Sequence, residues 1–515
     1  FRAMASQMGD PLSAHAAARP DKAALVYEER IVTFAELHER ANRYAAAMRR
    51  LGIEAGDRLT GISYNSVEGN EGAHGARRIG AVAVPINHHL RPAEVAYIVN
   101  DSGAKVVTAS PDFQAVIEEA RTQIEGDRHY VLTGKGSPPP GWLSYEELLG
   151  EGTAAEAAEG AAAIGASMIY TSGTTGRPKG AFRPNGVDIK NVLQVIQVFG
   201  LKPDDVHLMA GPGYHSAVGF FSALSQLLGA TIVIEKRFDA AEALALIARH
   251  QVTTTFMAPT LISRMLNLPE EYRAGIDHSS FKQIIMGAAP CPISLKEKCI
   301  AYFGPVLWEF YGATETGINT VLRPEDQLRK PGSAGTALGG QEIRLVDEEG
   351  VDVPVGMPGE FLVRNDALAE YYNRPDATAD SNHDGFFSVG DIAYRDAEGY
   401  YYICDRKIDM VISGGVNIYP AEVEAILFEH PAVEDAAIIG VPNEEYGEEV
   451  KAVVKLKPGA TATEAELIEF CNQRVAGYKR PKSVDFVEDF PRDVAGKTQK
   501  RRLRDRYWEG LTRRI

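Results

Sequence analysis

The residues best suited to chemistry begin at Tyr170-Thr171-Ser172-Gly173-Thr174-Thr175-Gly176-Arg177-Pro178-Lys179-Gly180. A short apolar run, Met168-Ile169-Tyr170, precedes them and reads as the end of a buried strand. Glycine lets backbone N–H groups come close to an anion, the hydroxyls add neutral donors, and Lys179 adds charge. Such a stretch is suited to cradling phosphate. It is not the common P-loop, because G-x-x-x-x-G-K-[ST] counted from Gly173 would require glycine where Pro178 stands. A second constellation, Phe310-Tyr311-Gly312-Ala313-Thr314-Glu315-Thr316-Gly317, sets an aromatic ring, a tight glycine and a hydroxyl beside a carboxylate. A third lies in Ser388-Val389-Gly390-Asp391 and Asp405-Arg406-Lys407, with Asp396-Ala397-Glu398-Gly399 reading as a hairpin turn between them. A carboxylate at the mouth of such a hairpin suits ribose hydroxyls, which need an acceptor. Taken singly, each run also reads as a turn or strand end.

The elements around these runs suggest a layered α/β protein. At 515 residues the chain exceeds one core, and about three units of roughly 150 residues fit its length. Thr33, with Glu36 three residues on, forms a capping-box pattern for a helix running to about Arg50. Ile79–Pro85 and Lys105–Thr108 read as strands, with a helix starting at Pro92 between them. This alternation predicts parallel sheet covered by helices. Gly211–Gly219 is a Gly-rich turn before an apolar helix. Thr253–Thr260 and Gln283–Pro290 read as strand ends, where ligands collect in α/β sheets. The small Gly287-Ala288-Ala289 run would let a flat base approach the backbone.

The net charge of -16 argues against nucleic acid as the main partner and leaves room for a local cationic phosphate site. The cysteines, Cys291, Cys299, Cys404 and Cys471, form no C-x-x-C pair, which suits a reducing compartment. The longest apolar stretch, Phe220–Ile234, is too short to span a bilayer, and residues 1–8 carry no long apolar region. The expected location is cytoplasmic, with no integral membrane segment. His88-His89 lack a third ligand spaced nearby and read as structural. The basic run Lys500-Arg501-Arg502, with Arg504 and Arg506, reads as a solvated helix face. No G-x-G-x-x-G or H-E-x-x-H motif occurs.

Taken in order, these runs resemble the adenylate-forming superfamily over almost the whole chain. That superfamily includes acyl-CoA synthetases, firefly-luciferase-like enzymes and the adenylation domains of peptide synthetases. The resemblance implies a large N-terminal domain (1–406) of two αβ-layered sheets plus a small β-barrel. A small mobile α+β C-terminal domain (407–515) would follow. It implies a carboxylic acid, ATP, Mg²⁺ and coenzyme A as reaction partners, with acyl-adenylate as the intermediate. A homodimer is left open.

The same resemblance assigns roles. Thr171, Ser172, Gly173, Thr174, Thr175, Gly176 and Lys179 would hold the β- and γ-phosphates. Gly287, Ala288, Ala289 and Pro290 would border adenine, with Tyr311 stacking on it beside Gly312 and Ala313. Thr314 would donate to the α-phosphate and Glu315 would hold Mg²⁺. Asp391 and Arg406 would hold the ribose. His215 matches a histidine bordering the acid's carboxylate, with Tyr214 in place of the usual Phe. Gly414 and Gly415 would line the pantetheine path, and Lys497, in Val494-Ala495-Gly496-Lys497, matches the adenylation lysine. The hinge position, commonly Asp or Lys, is Ile408 here, with Asp409 following. No aspartate stands within 211–219 to hold a substrate ammonium, so a plain carboxylic acid is favoured. Phe220, Phe221, Trp308, Gly287 and Gly312 lie near the expected acid pocket. The alternatives are an enzyme loading a carrier-protein thiol or oxygen, and a nucleotide-binding sensor without turnover.

Overall fold

The structure, a computed structural model, describes residues 10–134, 137–151, 165–171, 178–413, 416–443, 445–492 and 498–509. Two large sheets dominate. In the nine-stranded sheet the strand order is Thr336–Ala337, Gly317–Leu322, Leu307–Ala313, Gln283–Met286, Thr254–Met257, Val206–Met209, Thr231–Ile234, Ala23–Tyr27, Arg30–Thr33. Its central strands are parallel, and antiparallel pairs close both edges. The eight-stranded sheet runs Glu370–Tyr371, Lys179–Arg183, Ser167–Thr171, Val82–Pro85, Arg58–Ile62, Val106–Ala109, His129–Leu132, Leu143–Ser144.

Strict alternation feeds two apolar layers from the first sheet. Met209, Ile232, Ile234 and Ile285 enter the core around Phe221 and Phe256. Their neighbours Leu208, Val233, Ile284 and Met286 point the other way, towards Leu244, Ile262 and Phe303. Both faces are therefore covered by helices, as the near-continuous apolar strands require.

A third, antiparallel sheet spans Glu342–Val346, Gly359–Arg364, Phe386–Arg395, Asn382–His383 and Tyr401–Arg406, and is half-barrel-like where a small barrel is expected. The last sheet joins Val411–Ser413, Val416–Ile418, Val433–Asn443, Gly447–Leu456 and Ser483–Phe486 to the helices Pro420–Glu429, Glu464–Asn472 and Lys500–Asp505. A large N-terminal part and a small C-terminal part result, as in the expected fold class.

Three local expectations change. Thr33 caps the helix Phe34–Arg50 by accepting from Glu36 N at 3.2 Å, but the Glu36 carboxylate accepts from Arg30 Nη2 at 2.7 Å and the box stays half made. Ile79–Pro85 is not one strand. Ile79 N and Gly80 N still donate to Ala76 O and Arg77 O, closing the helix Val67–Arg78, and the strand begins only at Val82. The terminal basic run is not a solvated face. Lys500 Nζ lies 2.8 Å from Glu424 Oε1 and 3.2 Å from Asp405 Oδ2, while Arg504 Nη1 lies 3.2 Å from Ile408 O and 3.2 Å from Asp409 Oδ1. Only Arg501, Arg502 and Arg506 stay exposed. No helix among the described residues is long and apolar enough to cross a membrane.

Candidate active site

Two hairpins and one helix start converge on the site. Thr171 ends the strand Ser167–Thr171 and pairs with Lys179 on the antiparallel return. The phosphate-loop residues Ser172, Gly173, Thr174, Thr175 and Gly176 lie outside the described residues, but both anchors of the loop are in place. Thr171 Oγ1 donates to Glu315 Oε1 at 3.2 Å, and Lys179 Nζ sits 4.8 Å from the centre of the Tyr371 ring.

Glu315 lies in the turn between Leu307–Ala313 and Gly317–Leu322 and is 8% exposed. Tyr371 OH is the second donor to Oε1, at 3.1 Å. Burial and the adjacent Glu315 charge push the Tyr371 phenol well up, so it remains a donor. Among the described residues Oε2 accepts no hydrogen bond, and none of them form a group of three His, Cys, Asp or Glu able to hold a metal. A single carboxylate with one oxygen that no described residue engages fits Mg²⁺, which keeps several waters and takes its other ligands from phosphate.

Thr314 is fixed from two sides. Its Oγ1 is 3.1 Å from Ser216 Oγ, and its carbonyl accepts from Arg183 Nη2 at 2.5 Å. Arg183 also donates through Nε to Ala367 O at 2.6 Å, and burial lowers this guanidinium to about 10. The turn itself needs glycine. A Cβ on Gly312 would stand 2.0 Å from Gly317 O, at the register shift between Tyr311 and Gly312. Gly287 is less tightly confined, its Cβ position 3.0 Å from the Phe310 ring, and Ala288 adopts φ +72. That left-handed alanine is the strained residue of the Gly287-Ala288-Ala289-Pro290 turn.

The ribose pair is set by register. Asp391 and Arg406 are direct cross-strand partners, with Arg406 Nε 3.6 Å from Asp391 Oδ1. The intervening turn is tied by Asp396, whose carboxylate accepts from Glu398 N and Tyr400 N, both at 2.9 Å. Tyr311 OH donates to Asp391 Oδ2 at 2.6 Å, and the Tyr311 ring meets Phe361 edge-on at 5.1 Å. Burial, together with the Asp391 charge, raises the Tyr311 phenol well above its ordinary range.

His215 is the N-cap of helix Ser216–Leu228, accepting weakly at Nδ1 from Ala217 N at 3.4 Å, and its ring stacks near Phe256. The turn before it hangs on Asn65, which donates to Gly211 O and Glu235 O and accepts from Gly213 N at 2.7 Å. His88 joins an aromatic cluster with Tyr64, Phe113 and Tyr214, in keeping with its structural reading. Lys497, Gly414 and Gly415 lie outside the described residues. Their flanks are paired, Ser413 with Val416 and Arg492 with Thr498. Sequence reasoning missed Tyr371, Arg183 and Asn65. Each sits far along the chain from its partner, in a segment without motif character.

Residues 12–373 match the AMP-binding enzyme family and residues 422–497 its C-terminal domain. The chain belongs to that family. It is 36% identical over 486 residues to the long-chain-fatty-acid–CoA ligase FadD13 of Mycobacterium tuberculosis, covering 92% of this chain and 93% of the relative. Feruloyl-CoA synthase of Amycolatopsis is 34% identical, over 92% of this chain and 94% of the relative. Among solved structures, o-succinylbenzoate CoA synthetase of Bacillus subtilis, in complex with its acyl-adenylate intermediate, superposes with a TM-score of 0.82. It is 29% identical and covers 96% of this chain and 98% of that one.

Proposed function

We propose that the chain is an AMP-forming acid–CoA ligase that activates a hydrophobic carboxylic acid by way of its adenylate. The observation that carries this reading is the meeting of Thr171 and Tyr371 on one oxygen of Glu315, with no described residue donating to the other, beside Thr314 and the Asp391–Arg406 pair. A substrate carboxylate oxygen attacks the α-phosphorus of ATP, and the bond to the bridging oxygen breaks to release pyrophosphate. The CoA sulfur then attacks the acyl carbon and AMP leaves. The carboxylate is already ionised at neutral pH, so the first step needs charge offset and in-line placement more than a base.

Glu315 would hold Mg²⁺, which would supply charge to neutralise the phosphates. Lys497 supplies the second positive charge, and the 171–179 loop holds the β- and γ-phosphates. Asp391 accepts from the ribose hydroxyls while Arg406 keeps it oriented, and the Gly287–Pro290 turn receives the base. Gly414 and Gly415 line the path of the CoA arm, with the domain boundary at 406/407. Four free cysteines fit a reducing, cytoplasmic setting.

The test is incubation with Mg-ATP and a panel of carboxylic acids, with and without CoA, read by mass. Acyl-AMP without CoA and acyl-CoA with it are the expected products. Acyl-AMP that CoA does not consume would replace CoA with a carrier-protein thiol. Bound, unconsumed ATP with every acid would refute the reading.

A further inference from the structure

Away from the phosphate-binding hairpin, the helix Val67–Arg78, the helix Ser216–Leu228, the strand Val82–Pro85 and the residues leading into Ser167–Thr171 line a cavity of about 190 Å³ that opens to the surface at Ala73 and Ala223. Its wall is small and apolar, with Ala76, Ala83, Ala166 and Ala223 facing Phe220 and Leu224. The one charged residue in the wall is Arg77. Its Nε is closed off from solvent and has no hydrogen-bond partner. Its Nη2 donates to His74 Nδ1, which leaves the His74 proton on Nε2 to meet Gln226 Oε1 at 3.1 Å. Gln226 belongs to the facing helix and donates in turn to Asn70 Oδ1 at 3.0 Å. The guanidinium is therefore held in place through a neutral histidine.

No carboxylate pairs with Arg77 among the described residues. Asp10, whose charge reaches it, is gripped by Arg78 Nε at 3.0 Å and by Arg78 Nη2. Two guanidiniums thus share one carboxylate. Arg77 is half-buried, with its Nε edge out of water and no carboxylate of its own, and an anionic ligand in the cavity would supply the missing acceptor and counter-charge.

The cavity is also aligned with the reacting centre. Phe220, Ala223, Leu224 and Leu227 form one face of the helix whose first residue, Ser216, touches Thr314. Ser216 to Leu224 covers roughly 12 Å at the helical rise of 1.5 Å per residue. Along the other wall, the strand leaving Ala166 ends at Thr171, the donor to Glu315. Two elements therefore lead from the cavity to the site.

We propose that this cavity receives the tail of the acid and that Arg77 binds an anionic group at its far end, so that the preferred substrates are dicarboxylic acids with an apolar middle. The proposal rests on the acid-activating reading above. Its test compares α,ω-dicarboxylic acids of about eight to fourteen carbons with monocarboxylic acids of equal length, by pyrophosphate release. Wild type should favour the diacid by about tenfold or more in kcat/KM, as a charge-assisted contact implies. Arg77→Met should erase that preference and leave the monoacid within about twofold, while Arg77→Lys should retain part of it. Ala223→Phe should abolish use of both long acids and spare acetate.

A diacid preference that survives Arg77→Met, or equal wild-type rates for the two series, overturns the proposal. Titration calorimetry of dodecanedioate into protein saturated with a non-cleavable ATP analogue reads the cavity without turnover. Arg77-dependent heat with no acid activated would keep the site and sink the ligase reading. No heat from wild type would sink the site.

Discussion

Tyr311→Phe removes one oxygen and tests the ribose assignment. In the structure Tyr311 OH donates to Asp391 Oδ2 at 2.6 Å, whereas Arg406 stands farther off, at 3.6 Å from Oδ1, and its side chain is 40% exposed. The tyrosine is thus the stronger restraint on the carboxylate. A hydrogen bond to a charged acceptor contributes about 1.5–3 kcal/mol, and the solvent reaching Arg406 places this one near the lower end. If Asp391 holds the ribose, about 1.5 kcal/mol of orientation is lost on nucleotide binding, or roughly tenfold in KM for ATP. The ribose does not change during attack on phosphorus, so this is binding shared by ground and transition states, and kcat should stay within about twofold. The assay is steady-state pyrophosphate release at saturating acid, with a thermal melt to check folding. An unchanged KM for ATP in a folded variant would refute the assignment of Asp391, and a fall in kcat alone would move Tyr311 into the chemical step.

Lys497→Ala should abolish acyl-AMP formation while CoA still consumes supplied acyl-adenylate; equal loss of both half-reactions would sink the lysine's role. Lys500→Met should destabilise the C-terminal part by about 3–5 kcal/mol in denaturant unfolding, because it leaves the buried Asp405 and Glu424 without their shared cation. Glu235 is buried, its Oε2 is unpartnered, and burial raises its carboxyl to about 8. A raised folded pKa means that the folded state holds the extra proton between the ordinary value of 4.5 and about 8, so stability should fall as pH rises through that window and level off above it. Glu235→Gln should flatten the profile in urea melts, and a slope unchanged by the substitution would show that another group titrates there.

Much of the site is written locally in the chain. Asp396 and Gly399 specify a turn, the turn specifies the register, and the register brings Asp391 opposite Arg406. The spacing of Gly312 and Gly317 is likewise legible, since a bulge that tight admits no side chain at residue 312. These are short-range consequences of backbone geometry, and residue type alone conveys them. The late start of the strand read at Ile79–Pro85, at Val82, has a local cause as well, a helix finishing its last turn, but apolar content masks it.

What the tertiary structure decided are the contacts whose partners lie far apart in the chain. Tyr371 reaches Glu315, Arg183 reaches Thr314, and Asn65 secures the turn before His215, because strands distant in sequence lie side by side in space. Lys500 and Arg504 illustrate the same limit, since a basic run reads as solvated until the chain returns Asp405, Asp409 and Glu424 to it. Sequence pattern encodes which face of an element is apolar. Which face meets which depends on sheet order and on the packing that buries both, and those emerge only when the whole chain has collapsed.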